Sequence, residues 1–309
     1  MKIGIIGDGK HARRIKGILK KNNYKFFIYK PDAPKYYDIK KYNDLKKCKI
    51  IFILTPNNTH YTYLRELYKN RYIFCEKPPV TKNSHLKYLS KINISKVYFN
   101  FNFRFSILAN ILNKVKKHKL GNLIYANINL THGYGLTEEY KKDWRSKKNK
   151  NNLGIYEMVL IHYLDLINYY FNLKKNSKIS LKKISNLGSS YDTCNVRLET
   201  NNAAQIDLFA SYSTAFYRNI FFIFNNGYIL QDEKEIKIFG PAINKDKNNK
   251  FIKPKIKEKI KINYFLDYEK SLEKSVNFFL KTARKKRKFN NFSQYKSLES
   301  NEILINSKY

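Results

Sequence analysis

Short apolar runs alternate with amphipathic stretches through the first part of the chain. The runs span Ile3–Ile6, Phe26–Tyr29, Ile50–Leu54, Tyr72–Cys75 and Val97–Phe101. Between the first two runs, the stretch Lys10–Lys21 places Ile15, Ile18 and Leu19 at helical spacing. Continuous apolar strands separated by helices are typical of a parallel sheet that helices cover on both faces. The pattern therefore predicts an α/β domain with a doubly wound parallel sheet over residues 1–120.

The pattern changes after residue 120. Leu123–Leu130 alternates like a half-buried strand, and Gly154–Phe171 and Leu266–Lys281 show helical spacing. Further strands are predicted at Lys178–Ile184, Thr193–Thr200, Ala204–Ser211, Ile220–Phe224, Tyr228–Leu230 and Ile236–Phe239. Asn226-Gly227 between two of them predicts a hairpin turn. Strands that follow one another without helices indicate a mostly antiparallel sheet, so residues 121–309 are predicted to form an α+β domain.

The charge of the chain is strongly positive, with 61 Lys and Arg against 24 Asp and Glu, a formal net charge of +37. Alone, this excess would indicate a nucleic-acid or membrane-surface partner. The basic residues are spread along the whole chain, however, and no helix-turn-helix, RNA-recognition or zinc motif accompanies them. The apolar runs are also shorter than the roughly 20 residues that cross a bilayer. We therefore expect no specific nucleic-acid partner and no membrane segment.

The cysteines exclude two further classes of protein. Cys48, Cys75 and Cys194 are odd in number and far apart, so they form neither a disulfide framework nor a CxxC metal or redox motif. The chain opens directly into an apolar strand, which is not the pattern of a signal peptide. We expect reduced thiols, no metal site and a cytoplasmic location.

A glycine-rich motif, Gly7-Asp8-Gly9-Lys10-His11-Ala12, joins the first predicted strand to the first helix. This is the place where a G-x-G-x-x-G/A fingerprint of a Rossmann domain must sit. Gly7 permits a tight turn, Gly9 lets the backbone approach a pyrophosphate, and the following helix points unpaired N–H groups at the phosphates. The motif predicts a bound NAD or NADP, with residues 7–11 as cofactor-binding residues.

The end of the second strand bears on the choice between NAD and NADP. In a Rossmann domain, an Asp or Glu there usually bonds the ribose 2′-OH of NAD. Here Lys30 stands about where that acid would be, and a cation favours the 2′-phosphate of NADP. Asp32 is the alternative, because its carboxylate is close enough in sequence to reach the ribose. The position of Lys30 slightly favours NADP.

Two more motifs follow strands, Thr55-Pro56-Asn57-Asn58-Thr59-His60 and Cys75-Glu76-Lys77-Pro78, so both should lie at the carboxyl edge of the sheet, where ligands bind. With the glycine motif, they resemble the Gfo/Idh/MocA oxidoreductase family, which includes glucose–fructose oxidoreductase and inositol dehydrogenase. Later motifs agree in order: Asn102-Phe103-Arg104-Phe105, Lys119-Leu120-Gly121, Asp143-Trp144-Arg145, Gly154 and His162-Tyr163-Leu164-Asp165. The resemblance covers nearly the whole chain.

The resemblance implies hydride transfer between a nicotinamide and a secondary alcohol or ketone of a sugar, cyclitol or sugar nucleotide. It assigns proton transfer to Lys77 and to His162, with Asp165 as a supporting carboxylate. Residues that it places around the cofactor are Thr55, Pro56, Asn57, His60, Glu76 and Lys77. Residues that it places around the substrate are Arg104, Trp144, Arg145 and His162. It further implies an open sheet in a C-terminal domain that binds substrate and forms a homodimer or homotetramer.

Several of these assignments have an alternative. Many family members carry an aspartate four residues before the histidine, where this chain has Met158. In an α-helix, Glu157 would lie about 140° around from His162, whereas Asp165 would lie only about 60° away. The missing acid keeps open a second hypothesis, a non-catalytic dinucleotide-binding sensor or regulatory protein on the same fold.

The two arginines and the tryptophan of the proposed substrate set also have structural alternatives. Arg104 and Arg145 bind substrate oxygens or phosphate in one interpretation and form surface ion pairs in the other. Trp144, the only tryptophan of the chain, packs either beside the active site or in the core.

Overall fold

The computed structural model describes residues 1–148 and 153–307. The protein divides into two compact units. The first comprises Met1–Asn102 and Lys270–Ile305, and the second comprises Phe103–Glu269 with the C-terminal residues from Asn306. This division differs from a single boundary at residue 120, because the chain returns to the first unit near its C-terminus.

The α-helices are α1 (Lys10–Lys21), α2 (His60–Leu67), α3 (Asn83–Lys91), α4 (Ile107–Leu112), α5 (Glu138–Lys142), α6 (Ile161–Phe171), α7 (Tyr264–Arg284) and α8 (Asn291–Ile305). The strands are β1 (Ile3–Ile6), β2 (Phe26–Tyr29), β3 (Ile50–Ile53), β4 (Tyr72–Glu76), β5 (Val97–Asn100), β6 (Leu123–Thr131), β7 (Lys178–Lys182), β8 (Thr193–Glu199), β9 (Gln205–Ser211), β10 (Tyr217–Phe224), β11 (Gly227–Gln231), β12 (Glu235–Phe239) and β13 (Ile256–Lys261). Within the described residues, no helix combines the length and the apolar character that crossing a membrane requires.

The first unit is built on a parallel sheet in the strand order β2-β1-β3-β4-β5. Apart from β2, which is half-buried, its strands are buried along their whole length, as their continuous apolar sequence predicts. Phe279 of α7 packs its ring 5.2 Å from that of Phe52 and 5.3 Å from that of Phe74. The predicted Rossmann sheet is confirmed, and α7 contributes to its core.

The second unit contains an open sheet in the order β13-β12-β11-β10-β6-β9-β8-β7. Neighbouring strands are antiparallel except β6 and β9, which run parallel, so the predicted mostly antiparallel sheet is confirmed. The hairpin turn between β10 and β11 is Asn225–Asn226, because Gly227 already pairs with Phe224. The turn predicted at Asn226-Gly227 was therefore wrong by one residue.

Candidate functional site

The glycine-rich turn leaves its backbone open to a ligand. Gly7 has a φ of +98°, and a Cβ added to it would lie 2.8 Å from the carbonyl oxygen of Leu54. Gly9 precedes α1 in an extended conformation, φ −76° and ψ 179°, and a Cβ added there would meet nothing within 4 Å. The first turn of α1 has no acidic residue, and Lys10 begins it on the surface. The N–H groups of this first turn and the open approach at Gly9 fit the pyrophosphate of a dinucleotide.

The side chain of Asp8 is engaged within the protein. One carboxylate oxygen accepts a hydrogen bond from the ammonium of Lys16, and the other accepts from the hydroxyl of Tyr37 at 3.2 Å. The Lys16 charge offsets the Asp8 charge beside the turn, so the carboxylate does not greatly oppose an incoming anion. The structure thus places Asp8 beside the predicted cofactor site, with its oxygens turned to Lys16 and Tyr37.

Lys30 and Asp32, the two residues predicted as alternatives for contacting the adenosine ribose, lie close together after β2. The ammonium of Lys30 lies 3.5 Å from a carboxylate oxygen of Asp32 and 5.9 Å from the ring centroid of Tyr37. Asp32 is largely exposed, with 74% of its side chain accessible, whereas 32% of the Lys30 side chain is accessible. The pair is therefore of the weak, solvent-screened kind that a phosphate can displace.

Glu76, at the carboxyl end of β4, is the centre of a buried hydrogen-bond network. Its Oε1 accepts from the ring Nε2 of His11 and from the amide of Asn100, both at 2.7 Å. Asn100 in turn accepts from Ser275 of α7 at 2.7 Å. Burial alone raises the pKa of Glu76, but the charge and hydrogen bond of His11, the Asn100 amide and the charge of Lys77 lower it to about 2. The carboxylate is thus anionic, and it joins the glycine-rich helix to β4 and β5.

The sequence did not point to Asn100 and Ser275, which belong to this network. The available signal was a polar residue, Asn100, in an otherwise apolar strand next to the predicted ligand edge. A polar residue at such a place needs a buried partner, and Glu76 supplies it.

His60 joins the loop after β3 to the loop after β4. Its ring is fully buried, with Nδ1 2.8 Å from the carbonyl oxygen of Pro78 and Nε2 2.9 Å from that of Thr55. Burial lowers the pKa of His60, although both carbonyls act in the opposite direction. The histidine predicted to line the cofactor is thus enclosed by protein, and its ring connects the two loops through their backbone carbonyls. Of its predicted neighbours, Asn57 is also buried, and Pro56 is exposed.

Lys77 lies between these two anchored positions. Glu76 before it is fixed by His11 and Asn100, and the carbonyl of Pro78 after it is held by His60. The Lys77 side chain is half-buried. The backbone that carries the predicted proton-transfer lysine is therefore held from both sides.

In the second unit, His162 is the second residue of α6 and is half-buried. Its ring stacks on that of Phe103, with centroids 4.8 Å apart and an interplanar angle of 25°. A π-helical segment, Tyr156–Leu160, directly precedes α6. The α-helical angle expected between Glu157 and His162 was therefore wrong, because the intervening hydrogen bonds run from i to i+5. Glu157 and Met158 are both buried in that segment.

Asp165 and Arg104 form a buried ion pair. The guanidinium donates from its Nε at 2.8 Å and from one terminal nitrogen at 2.6 Å, so each carboxylate oxygen accepts one bond. Only 1% of the Asp165 side chain and 9% of the Arg104 side chain are exposed. The guanidinium also lies 4.5 Å from the ring centroid of Tyr169. The structure thus places Arg104 in an ion pair, but in a buried one rather than in the surface pair of the alternative.

Trp144 and Arg145 follow α5 and are held by Asp143. The Asp143 carboxylate accepts from the backbone N–H of Arg145 at 3.0 Å and from its guanidinium at 3.2 Å. It also accepts from the hydroxyl of Tyr134 at 2.6 Å. Arg145 stacks over the Trp144 ring at 4.7 Å, and both side chains are half-buried. This cluster therefore leaves part of an aromatic and cationic surface accessible to a ligand.

Two models of one protein family match the chain. The Gfo/Idh/MocA model described as "Oxidoreductase family, NAD-binding Rossmann fold" matches residues 3–96. Its companion, described as "Oxidoreductase family, C-terminal alpha/beta domain", matches residues 113–258. A comparison with curated proteins gave no match.

Solved structures share the fold over almost the whole chain. A myo-inositol dehydrogenase from Corynebacterium glutamicum is 18% identical with a TM-score of 0.70, covering 98% of this chain and 94% of its own. An oxidoreductase from Agrobacterium radiobacter, in complex with NAD+, L-tartaric acid and magnesium, is 14% identical with a TM-score of 0.76 and the same coverage. A levoglucosan dehydrogenase with NADH and levoglucosan is 12% identical with a TM-score of 0.76, covering 99% and 96%.

Proposed function

The chain belongs to the Gfo/Idh/MocA oxidoreductase family, and we propose that it is an NAD(P)-dependent dehydrogenase or reductase of carbohydrate-like substrates. The reaction is hydride transfer between the nicotinamide and a secondary alcohol or ketone of a sugar, cyclitol or sugar nucleotide. The observation that carries the proposal is the open backbone at Gly9, at the same sheet edge as Lys77. Relatives of the same fold that act on inositol and levoglucosan support the substrate class.

When bound, the nicotinamide supplies or accepts the hydride, and the protein handles the accompanying proton. We assign that proton to the Lys77 Nζ and to the ring of His162. Lys77 stands on a braced backbone, and the stacking of Phe103 limits the orientation of the His162 ring. Arg104 and Asp165 act as positioning residues, because their ion pair ties α6, which carries His162, to the Asn102–Phe105 segment. Trp144 and Arg145 are proposed to contact the substrate.

The second unit is also proposed to form a homodimer or homotetramer. The sheet face opposite Arg218 and Phe222 carries half-buried apolar side chains, among them Phe209, Phe221 and Leu230. Sedimentation velocity of the purified protein tests this proposal, and a monomer at micromolar concentration would contradict it.

Cofactor binding is tested by replacing Gly9 with valine. The extended backbone at Gly9 accepts a side chain without strain, but the side chain would occupy the space through which a pyrophosphate approaches. We expect calorimetric titration with NADH and NADPH to show at least about a 30-fold loss of affinity, roughly 2 kcal/mol. The melting temperature should stay unchanged.

Gly17 provides the matched control. It lies on the exposed surface of α1, and a Cβ added there also meets nothing within 4 Å. Gly17→Val should bind both cofactors as the parent protein does. Equal losses of cofactor affinity in the Gly9 and Gly17 variants would refute the assigned cofactor site. If the parent protein binds a cofactor but turns over no polyol, the sensor hypothesis is favoured.

The preference for NADP is tested at Lys30. Replacing Lys30 with aspartate removes the cation that the 2′-phosphate would meet and adds a repelling charge, so affinity for NADPH should fall about tenfold or more. Affinity for NADH should be unchanged or rise. Lys35→Asp, the same charge change at an exposed position nearby, should leave the ratio of the two affinities unaltered. If Asp32 binds the ribose instead, the parent protein will prefer NADH.

A further inference from the structure

The second unit holds a buried cation, Arg218, that makes no direct ion pair with a carboxylate of the described residues. Arg218 lies on β10 and is 7% exposed. It occupies the buried side of the strand together with Ile220 and Phe222, in the alternation of a strand with one covered face. Among the described residues, Arg218 forms no ion pair with an Asp or Glu side chain. Burial of a charge is unfavourable unless a partner compensates it.

Aromatic side chains orient this guanidinium but leave one of its hydrogen-bond donors without an acceptor among the described residues. One terminal nitrogen of Arg218 donates a hydrogen bond to the hydroxyl of Tyr163. The ring of Tyr264 lies against the guanidinium, with its centroid 3.5 Å from Cζ, while the Tyr163 centroid is 5.8 Å away. The Nε–H of Arg218 has no hydrogen-bond acceptor among the described residues. In a guanidinium stacked on a ring, the N–H donors point outward in the plane of the group, and here the Nε–H is enclosed by protein and, within the described part of the chain, unpaired.

The position of Arg218 connects it to the residues assigned to the substrate. Its hydroxyl partner, Tyr163, is the neighbour of His162 in α6. Phe103 contacts both rings, at 4.8 Å from His162 and 5.0 Å from Tyr163. The guanidinium of Arg218 thus contacts the same aromatic cluster as the proposed catalytic histidine.

We propose that Arg218 binds an oxyanion of the substrate, a carboxylate or a phosphate, through its Nε–H and a neighbouring terminal N–H. This geometry matches the bidentate recognition of carboxylate and phosphate by arginine. Tyr163 and Tyr264 fix the plane of the guanidinium. The proposal rests on the proposed function and narrows it, because the substrate is then a sugar acid, a sugar phosphate or a sugar nucleotide rather than a neutral cyclitol.

The first test uses the parent protein. In the presence of saturating NADH, calorimetry with D-glucuronate, D-glucose 6-phosphate and D-glucose compares two anionic probes with a neutral one. We expect at least one anionic probe to bind at least tenfold more tightly than D-glucose. Equal affinity for all three probes, or tighter binding of glucose, would overturn the proposal. The NADH titration is read separately, so a failure of the proposed function is distinguishable.

The second test uses variants of Arg218. Arg218→Gln should lower the affinity for the anionic probe by about 30-fold or more and leave the glucose affinity unchanged. Arg218→Lys, which keeps the charge but loses the planar fork, should recover only part of that loss. Arg197→Gln, on β8 of the same sheet, is the control, because that arginine is exposed and pairs with Asp207. Equal losses for charged and neutral probes would assign Arg218 a structural role only. If the Gln variant does not fold, the Lys variant and the parent titrations decide.

Discussion

Replacement of Lys77 by alanine is expected to lower kcat by about 10²- to 10⁴-fold, the usual contribution of a positioned acid or base. Lys77 is the residue between two anchored points, the Glu76 carboxylate and the Pro78 carbonyl. Because His60 holds the backbone of this loop, the loss of the side chain should leave the fold intact. Lys77 is also expected to lie beside the cofactor, so affinity for NADH should fall, but by no more than about tenfold, roughly 1.4 kcal/mol, which is less than the fall in kcat.

The measurement is the initial rate of the parent and the variant with saturating cofactor, on a substrate that a sugar screen has identified. Lys77→Arg is the informative second variant, since it retains the positive charge but not a group that gives up its proton at ordinary pH. Lys87→Ala, at an exposed lysine of α3, should match the parent. If Lys77→Arg retained full turnover, the charge of Lys77 would be what matters, and the proton-transfer assignment would be wrong.

The surroundings of Lys77 show which features of this site the sequence pattern predicts and which it does not. The motifs placed Lys77 and His60 after parallel strands, and in the structure Lys77 directly follows β4, whereas His60 begins α2 after the loop that follows β3. The sequence pattern did not predict the direction in which each side chain points. His60 was expected to face the cofactor, yet both of its ring nitrogens meet backbone carbonyls inside the protein. The burial of the His60 ring depends on the loop after β4, and a pattern of neighbouring residues in the sequence does not report such a contact.

Helix α8 shows the same limit at the level of the fold. Its buried positions are mostly polar and include Gln294, Lys296 and Asn301, so no apolar stripe marks it in the sequence. It docks through hydrogen bonds instead. The side chain of Asn301 accepts from the backbone N–H of Val80 at 2.8 Å and donates to its carbonyl at 2.9 Å. A reading based on apolar periodicity therefore missed α8 and, with it, the return of the chain to the first unit.

Strand β13 was missed for a related reason. It is an edge strand with exposed or half-buried positions throughout, and four of its six residues are charged, with isoleucine only at 256 and 260. Its partner strand β12 was predicted because one of its faces is buried. Periodicity reports burial, so an edge strand with little burial leaves a weak signal.

Replacement of Asp165 by alanine is expected to lower the free energy of unfolding by about 3–5 kcal/mol, because it leaves the buried Arg104 guanidinium without its carboxylate. Urea denaturation of parent and variant measures this loss. Glu199→Ala removes a carboxylate from the exposed Lys174 pair and should cost no more than about 1 kcal/mol. The double variant Arg104→Met with Asp165→Leu should recover much of the stability, since it removes both charges and fills a similar volume.

The same pair distinguishes a positioning residue from a catalytic one. The Asp165 oxygens accept from Arg104, so Asp165 should influence catalysis through the placement of α6 and His162. The stabilised double variant should then keep measurable turnover, with its pH profile unchanged and KM altered more than kcat. A double variant that is folded, binds NADH and shows no turnover would instead make the Asp165 carboxylate a member of the proton-transfer machinery, the supporting role that its helical position about 60° from His162 suggested.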